Sequence, residues 1–313
     1  MFWWLLAILI MGAVVYASWI CYKLVFYNRN VIEKDVYAIP PGQQYEKYAD
    51  RILLMIHGVQ QLPYEQVYIT AADGVRLAGR YYQFYEHAPV LILFHGYRGS
   101  SVQEFCGNDH MAKMLGFNVI VVDERAHGKS GGHTITFGIM ERYDCLEWAR
   151  YASARFGKET KIILSGVSMG ASTVLMASNL NLPENVSAII ADCPYSSPGA
   201  IIKKVCKNMH LPSMLLYPLV VLGALLFGRF CIWESSAVRS VKQTKIPILL
   251  VHGEDDRFVP ATMSKEIYQA ARGPKKMITV PGAGHGLSYF VDTPYYEKTI
   301  KDFLKNCGIC LKE

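Results

Sequence analysis

Ile162-Ile163-Leu164-Ser165-Gly166-Val167-Ser168-Met169-Gly170-Ala171-Ser172-Thr173-Val174-Leu175-Met176 runs an unbroken apolar segment into G-x-S-x-G and then into a second apolar segment. The first part has the length and composition of a strand buried on both faces, and the last part continues as a helix. A strand-to-helix joint this tight drives side chains flanking the serine into the backbone, so Gly166 and Gly170 supply the room. Ser168 is then left exposed at a helix N-terminus. There the backbone N–H of Met169 has no carbonyl one turn back and is free to donate to an oxyanion. Strand, G-x-S-x-G and helix in this order form a nucleophile elbow, with Ser168 as candidate nucleophile.

Similar short apolar runs recur on both sides of this joint. Val90–Phe94, Val119–Val122, Ala188–Ile190, Ile248–Val251 and Met277–Val280 are each bounded by Gly, Pro or charge, as in a parallel sheet. Ahead of them, Val67–Thr70 and Val75–Leu77 flank Asp73-Gly74, a hairpin turn signal. The stretch holding Tyr143, Leu146, Glu147 and Tyr151, with Trp148 on a neighbouring face, has helical spacing. Thr293-Pro294 opens the last helix, with the hydroxyl as N-cap. A hairpin followed by repeated strand–helix units predicts an α/β fold, a mostly parallel sheet with helices on both faces. The interval between Ala191 and Ile246 is too long for one crossover and carries the apolar run Leu215–Phe227, broken by Pro218. That is a cap insertion whose apolar face packs on the body or touches substrate or lipid.

A serine hydroxyl does little without a base. His285, in Gly282-Ala283-Gly284-His285-Gly286 just after the last strand, lies on a loop able to swing towards Ser168. Glu254, Asp255 and Asp256 all follow the strand Ile248–Val251, and spacing alone does not choose the acid among them.

His252-Gly253-x-x-Asp256-x-x-Val259-Pro260 resembles the acid loop of the α/β-hydrolase superfamily. The resemblance implies Asp256 as the acid, with Asp255 as the fallback, in the family order Ser, acid, His. Phe94-His95-Gly96-Tyr97 resembles the family's oxyanion loop, which implies the Tyr97 N–H as a second donor beside that of Met169. Val122-Asp123-Glu124-Arg125-Ala126-His127-Gly128-Lys129-Ser130 is similar to the D-x-R-G-H-G-x-S segment of monoacylglycerol-lipase-like and S33 aminopeptidase-like members, with Ala126 in place of a glycine. The chain as a whole resembles membrane-anchored bacterial hydrolases of this superfamily.

From Met1 to Tyr22 no side chain is charged, and the run is long enough to cross a bilayer. Trp3, Trp4, Trp19 and Tyr22 stand near its ends, where amphipathic rings favour the headgroup region. A cleaved signal peptide would need a basic start and a shorter apolar core, so a retained anchor is expected. Lys23, Arg29 and Lys34 follow the span and none precede it, which predicts a cytoplasmic body. The eight cysteines have no framework spacing, as in a reducing compartment, and Cys307-Gly-Ile-Cys310 has no second pair to make a zinc site.

The 313 residues are 51% hydrophobic and 19% charged with net charge +6, which excludes a disordered chain and a small disulfide scaffold. No basic run suggests nucleic-acid binding. Gly128-Lys129-Ser130 lacks the leading glycine of a P-loop, and His57, His87, His110, His133 and His210 show no metal-ligand spacing, so neither cofactor nor metal is expected. His127 belongs to a structural turn, His95 supports the oxyanion loop, and Asn185-Val186-Ser187 is a formal glycosylation sequon.

The expected organisation is a transmembrane anchor over 1–23, a lead-in over 24–64, an α/β-hydrolase domain over 65–306 with its cap at about 194–243, and a tail over 307–313. The expected activity is hydrolysis of a small, lipid-derived acyl ester by Ser168, His285 and Asp256. The alternatives are an S33-type peptidase, for which Glu234 is the candidate amine anchor, and a membrane-tethered binding module without catalysis. The apolar cap run and the preceding Lys203, Lys204 and Lys207 also predict a cap that docks on an anionic lipid surface, and a catalytic body separable from residues 1–35.

Overall fold

The computed structural model describes residues 2–29, 36–39 and 42–312; Lys34, one of the flanking basic residues, lies outside them. Its strands are β1 (Glu65–Thr70), β2 (Arg76–Tyr82), β3 (Val90–Phe94), β4 (Asn118–Asp123), β5 (Ile162–Val167), β6 (Val186–Asp192), β7 (Ile248–Gly253) and β8 (Lys275–Val280). They form one sheet in the order β1-β2-β4-β3-β5-β6-β7-β8. The β1–β2 and β2–β4 pairs are antiparallel, and all the others are parallel. This is the mostly parallel α/β sheet expected from the alternating runs, in keeping with the fold that the resemblance to α/β hydrolases implies. Central β3, β4 and β7 are buried throughout, as strands covered on both faces must be, whereas edge strand β1 is only partly buried. Phe94 pairs with Gly166 and Val167 with Asp192, so the C-terminal ends of β3, β5 and β6 meet along one edge of the sheet. Loops at that edge are where such sheets hold ligands.

Several local readings are corrected. The helix Glu141–Phe156 buries a stripe of Cys145, Trp148, Ala149 and Ala152, so Trp148 is on the core face rather than beside it. Gly79 of β2 makes room for it, since a Cβ there would lie 2.8 Å from the Trp148 ring. The last helix is capped by Asp292, which accepts from the Tyr295 N–H at 3.0 Å, while the Thr293 hydroxyl donates to the Tyr289 carbonyl. A carboxylate complements the positive helix end better than a hydroxyl. Pro218 does not break the cap helix, which runs from Ser213 to Gly223 and then widens into a π-turn over Ala224–Gly228. The carbonyl that Pro218 leaves unpaired belongs to Met214, on the most exposed turn of the cap. The Asn185 side chain is buried and donates to the carbonyls of Thr160 and Gly157, so the sequon is not available for glycosylation.

Residues 24–64 are more than a lead-in. The helix Ala49–Gln60 packs Ile56 and Val59 into the core on one face of the sheet. The N-terminal helix α1 (Phe2–Val25) does not hang free either. Tyr22 and Phe26 are buried, and the Phe26 ring packs edge-on against Phe137 and Phe230. At the crossing with the cap helix, a Cβ on Gly223 would lie 2.5 Å from the Ser18 carbonyl, so glycine permits backbone contact. A body cut at residue 35 would therefore lose part of its own core.

Arg125 ties three elements together. Its guanidinium donates to both Asp144 carboxylate oxygens at 2.6 Å and to Asp73, in the β1–β2 turn, at 2.9 Å. Arg125→Ala would strand a buried carboxylate, and is expected to lower unfolding free energy by about 3–5 kcal/mol in denaturant titrations.

Candidate active site

Ser168 sits between β5 and the helix Met169–Ala177 with φ 55° and ψ −109°. A non-glycine residue in such a conformation costs about 1–3 kcal/mol and persists only where its surroundings dictate it. Here the Ser168 N–H donates to the Asp192 carbonyl at 2.9 Å, and the Ser168 carbonyl accepts from Ser172 at 3.0 Å. The flanking glycines occupy positions with no room for a side chain. A Cβ on Gly166 would lie 2.6 Å from the Gly170 carbonyl oxygen, and one on Gly170 would fall onto the Phe94 carbonyl. Ser168 itself is only 7% exposed, because the cap and α1 roof the edge of the sheet that the sequence alone leaves open.

The three residues singled out from the sequence form one hydrogen-bonded chain. His285 Nε2 lies 2.9 Å from Ser168 Oγ, and His285 Nδ1 lies 2.6 Å from Asp256 Oδ2. Asp256 Oδ1 accepts the N–H groups of Phe258 and Val259 at 2.9 and 2.8 Å, which fixes the carboxylate in its loop. Burial pushes the Asp256 carboxyl up, but hydrogen bonds from His252 and His285 outweigh it and hold the group down at about 2. Glu254 and Asp255 are exposed, and Glu254 accepts from Thr279, so among the three acids the loop aims only Asp256 at His285. The Tyr45 hydroxyl donates to the His285 carbonyl at 2.9 Å and steadies the loop from the lead-in segment.

Gly96 passes over Ser168, a Cβ there lying 3.6 Å from the Ser168 Cβ, which brings the Tyr97 backbone beside the serine. Met169 opens its helix, so its N–H is unpaired within the helix. His95 accepts from the Glu124 N–H and His127 from the Arg98 N–H, both at 3.0 Å, so the two imidazoles brace this turn as expected. Ala126 has φ 63°, the left-handed conformation that suits the family's glycine.

Cys193, Asp256 and His285 place potential metal ligands within 4.8 Å of one another. A cation there would have to displace the His285–Asp256 hydrogen bond and ionise a thiol that burial holds protonated. The donor set therefore suits proton transfer better than ligation. Glu234 is bound at 2.6 Å to Arg142 and lies outside the lining of the cavity beside Ser168.

That cavity measures about 580 Å³ and is almost wholly apolar. Tyr97, Phe137 and Tyr195 line it from the body, and Ile202, Val205 and Leu216 from the cap. A further wall is the C-terminal half of α1, which sequence reasoning missed by treating residues 1–23 as a uniform span. The available signal was the cluster of small residues Ala17, Ser18 and Cys21 among otherwise bulky ones.

Residues 89–230 match the family model of the alpha/beta hydrolase fold, and residues 231–309 match that of the TAP-like proteins. The chain is 28% identical over 239 residues to the protein YqkD of Bacillus subtilis, covering 76% of this chain and 78% of that one. It is 29% identical over 243 residues to protein ABHD12B of Homo sapiens, covering 69% and 60% respectively. Among solved structures, the esterase Pf2001 of Pyrococcus furiosus superposes with a TM-score of 0.62 at 24% identity, over 80% of this chain and 94% of that one. Together the two models match residues 89–309, and with its sheet order the chain has the α/β-hydrolase fold.

Proposed function

We propose that this hydrolase is a membrane-anchored serine esterase, cleaving an acyl ester through an acyl-enzyme on Ser168. The observation that carries the reading is the Asp256–His285–Ser168 chain opening into an apolar cavity. Ser168 Oγ attacks the ester carbonyl while His285 Nε2 takes its proton, and the N–H groups of Tyr97 and Met169 hold the tetrahedral oxyanion. Each such donor is worth about 3–4 kcal/mol in comparable sites. His285 then protonates the departing alkoxide. A water, deprotonated by His285, releases the acid and restores the serine, while Asp256 keeps the imidazole in the required tautomer.

A helix of 24 residues, long and apolar enough to cross a membrane, supports the anchor. Lys23 and Arg29 at its C-terminal side favour a cytoplasmic body, and the resemblance to S33-like and monoacylglycerol-lipase-like members supplies the finer grouping. Of the two bond types, the ester is favoured because the proposed amine anchor, Glu234, is already paired with Arg142. Turnover of p-nitrophenyl esters should exceed that of aminoacyl-naphthylamides in the full chain. Equal or greater amide turnover would replace the esterase reading by the peptidase one.

A further inference from the structure

Ala17, Ile20, Cys21, Leu24 and Val25 of α1 all line the cavity beside Ser168. They recur at the three- and four-residue spacing of one helical face. The near end of this stripe is tied to the site, since the Tyr97 hydroxyl donates to the Val25 carbonyl at 2.8 Å. Ala17 is eight residues back along the helix, about 12 Å further from that tie at 1.5 Å per residue. In this arrangement a short acyl group on Ser168 would end near the Val25 turn, and a longer one would reach along α1 towards Ala17.

The depth of α1 bears on which esters reach this wall. Phe2–Tyr16 are exposed throughout, fifteen residues spanning about 22 Å, and from Ala17 onward one side of the helix lies against the cap and body, with Trp19, Ile20 and Leu24 still exposed. A bilayer core is about 30 Å thick, so a spanning α1 draws its cavity-lining turns to the edge of the hydrocarbon. The neighbouring cap residues Met209, Leu211, Met214 and Leu215 are exposed and apolar, as that depth requires.

From this geometry we infer that α1 is a working wall of the acyl pocket as well as an anchor, and that its Ala17–Val25 face selects esters carrying a long, bilayer-dissolved acyl chain. The inference rests on the esterase reading above.

The test compares kcat/KM for p-nitrophenyl laurate and butyrate in the full chain held in phosphatidylcholine nanodiscs. The unmodified chain should prefer the laurate. Each buried methylene is worth about fourfold, so Ala17→Trp, by removing room for two or three, should lower the laurate-to-butyrate ratio roughly 15–60-fold. Cys21→Leu should lower it less, and Leu24→Ala, which widens the pocket, should move the palmitate-to-laurate ratio upward. Ala7→Trp, on the exposed part of α1, should leave the ratio as in the unmodified chain. Fluorophosphonate labelling confirms that each variant keeps its elbow. Should Ala17→Trp not fold, the opposite shifts of Cys21→Leu and Leu24→Ala carry the test. A preference for butyrate in the unmodified chain, or ratios unmoved in labelled wall variants, overturns the inference. Failure of the unmodified chain to react with the probe overturns the underlying hydrolase reading instead.

Discussion

Ser168→Ala is expected to lower kcat for an acyl ester by about a millionfold, the size of loss seen when a triad nucleophile is removed from a comparable hydrolase. The methyl group keeps the Cβ and leaves the φ 55° backbone in place, held by the Asp192 carbonyl and the two flanking glycines. Thermal unfolding should therefore be nearly unchanged, which separates loss of chemistry from loss of fold. The activity that remains should come from the oxyanion donors and the apolar cavity alone. Adding His285→Ala should lower the rate little further, because nucleophile and base act as a unit.

Asp256→Asn is expected to cost about 10⁴-fold in kcat, because an amide leaves the imidazole in the wrong tautomer. Asp255→Asn should have little effect, since that side chain faces solvent. The same carboxylate predicts a pH dependence of stability. Its folded pKa, about 2, lies below the usual aspartate value because His252 and His285 outweigh burial. The stabilisation it supplies is therefore complete above about pH 4 and is lost as pH falls towards 2, an amount of about 2–3 kcal/mol. Unfolding of the parent and of Asp256→Asn should differ most near neutrality and converge below that window.

What the sequence made legible was local. G-x-S-x-G between two apolar segments defines a turn whose sterics admit one arrangement, and the structure places Gly166, Ser168 and Gly170 as that turn requires. The acid loop needed more than spacing. Glu254, Asp255 and Asp256 are equivalent by position, and the hydrogen bonds of Asp256 to Phe258 and Val259 that decide between them form only when the loop folds. Apolar runs located the strands, but not which face of Glu141–Phe156 carries Trp148, because that depends on the gap left by Gly79 on a distant strand. The greatest gap was at the N-terminus. The high hydropathy of the whole helix satisfies the membrane pattern and masks the small residues Ala17, Ser18 and Cys21 that mark its packed stripe, and nothing in that pattern tells that Tyr22 and Phe26 belong to the core of the body.

The most direct measurement is the mass of the covalent adduct formed when the full chain reacts with a fluorophosphonate, followed by peptide mapping. One adduct per chain on Ser168, lost in Ser168→Ala and greatly slowed in Asp256→Asn, is the predicted result. No adduct, or one on another residue that persists in Ser168→Ala, would contradict a nucleophilic role for Ser168.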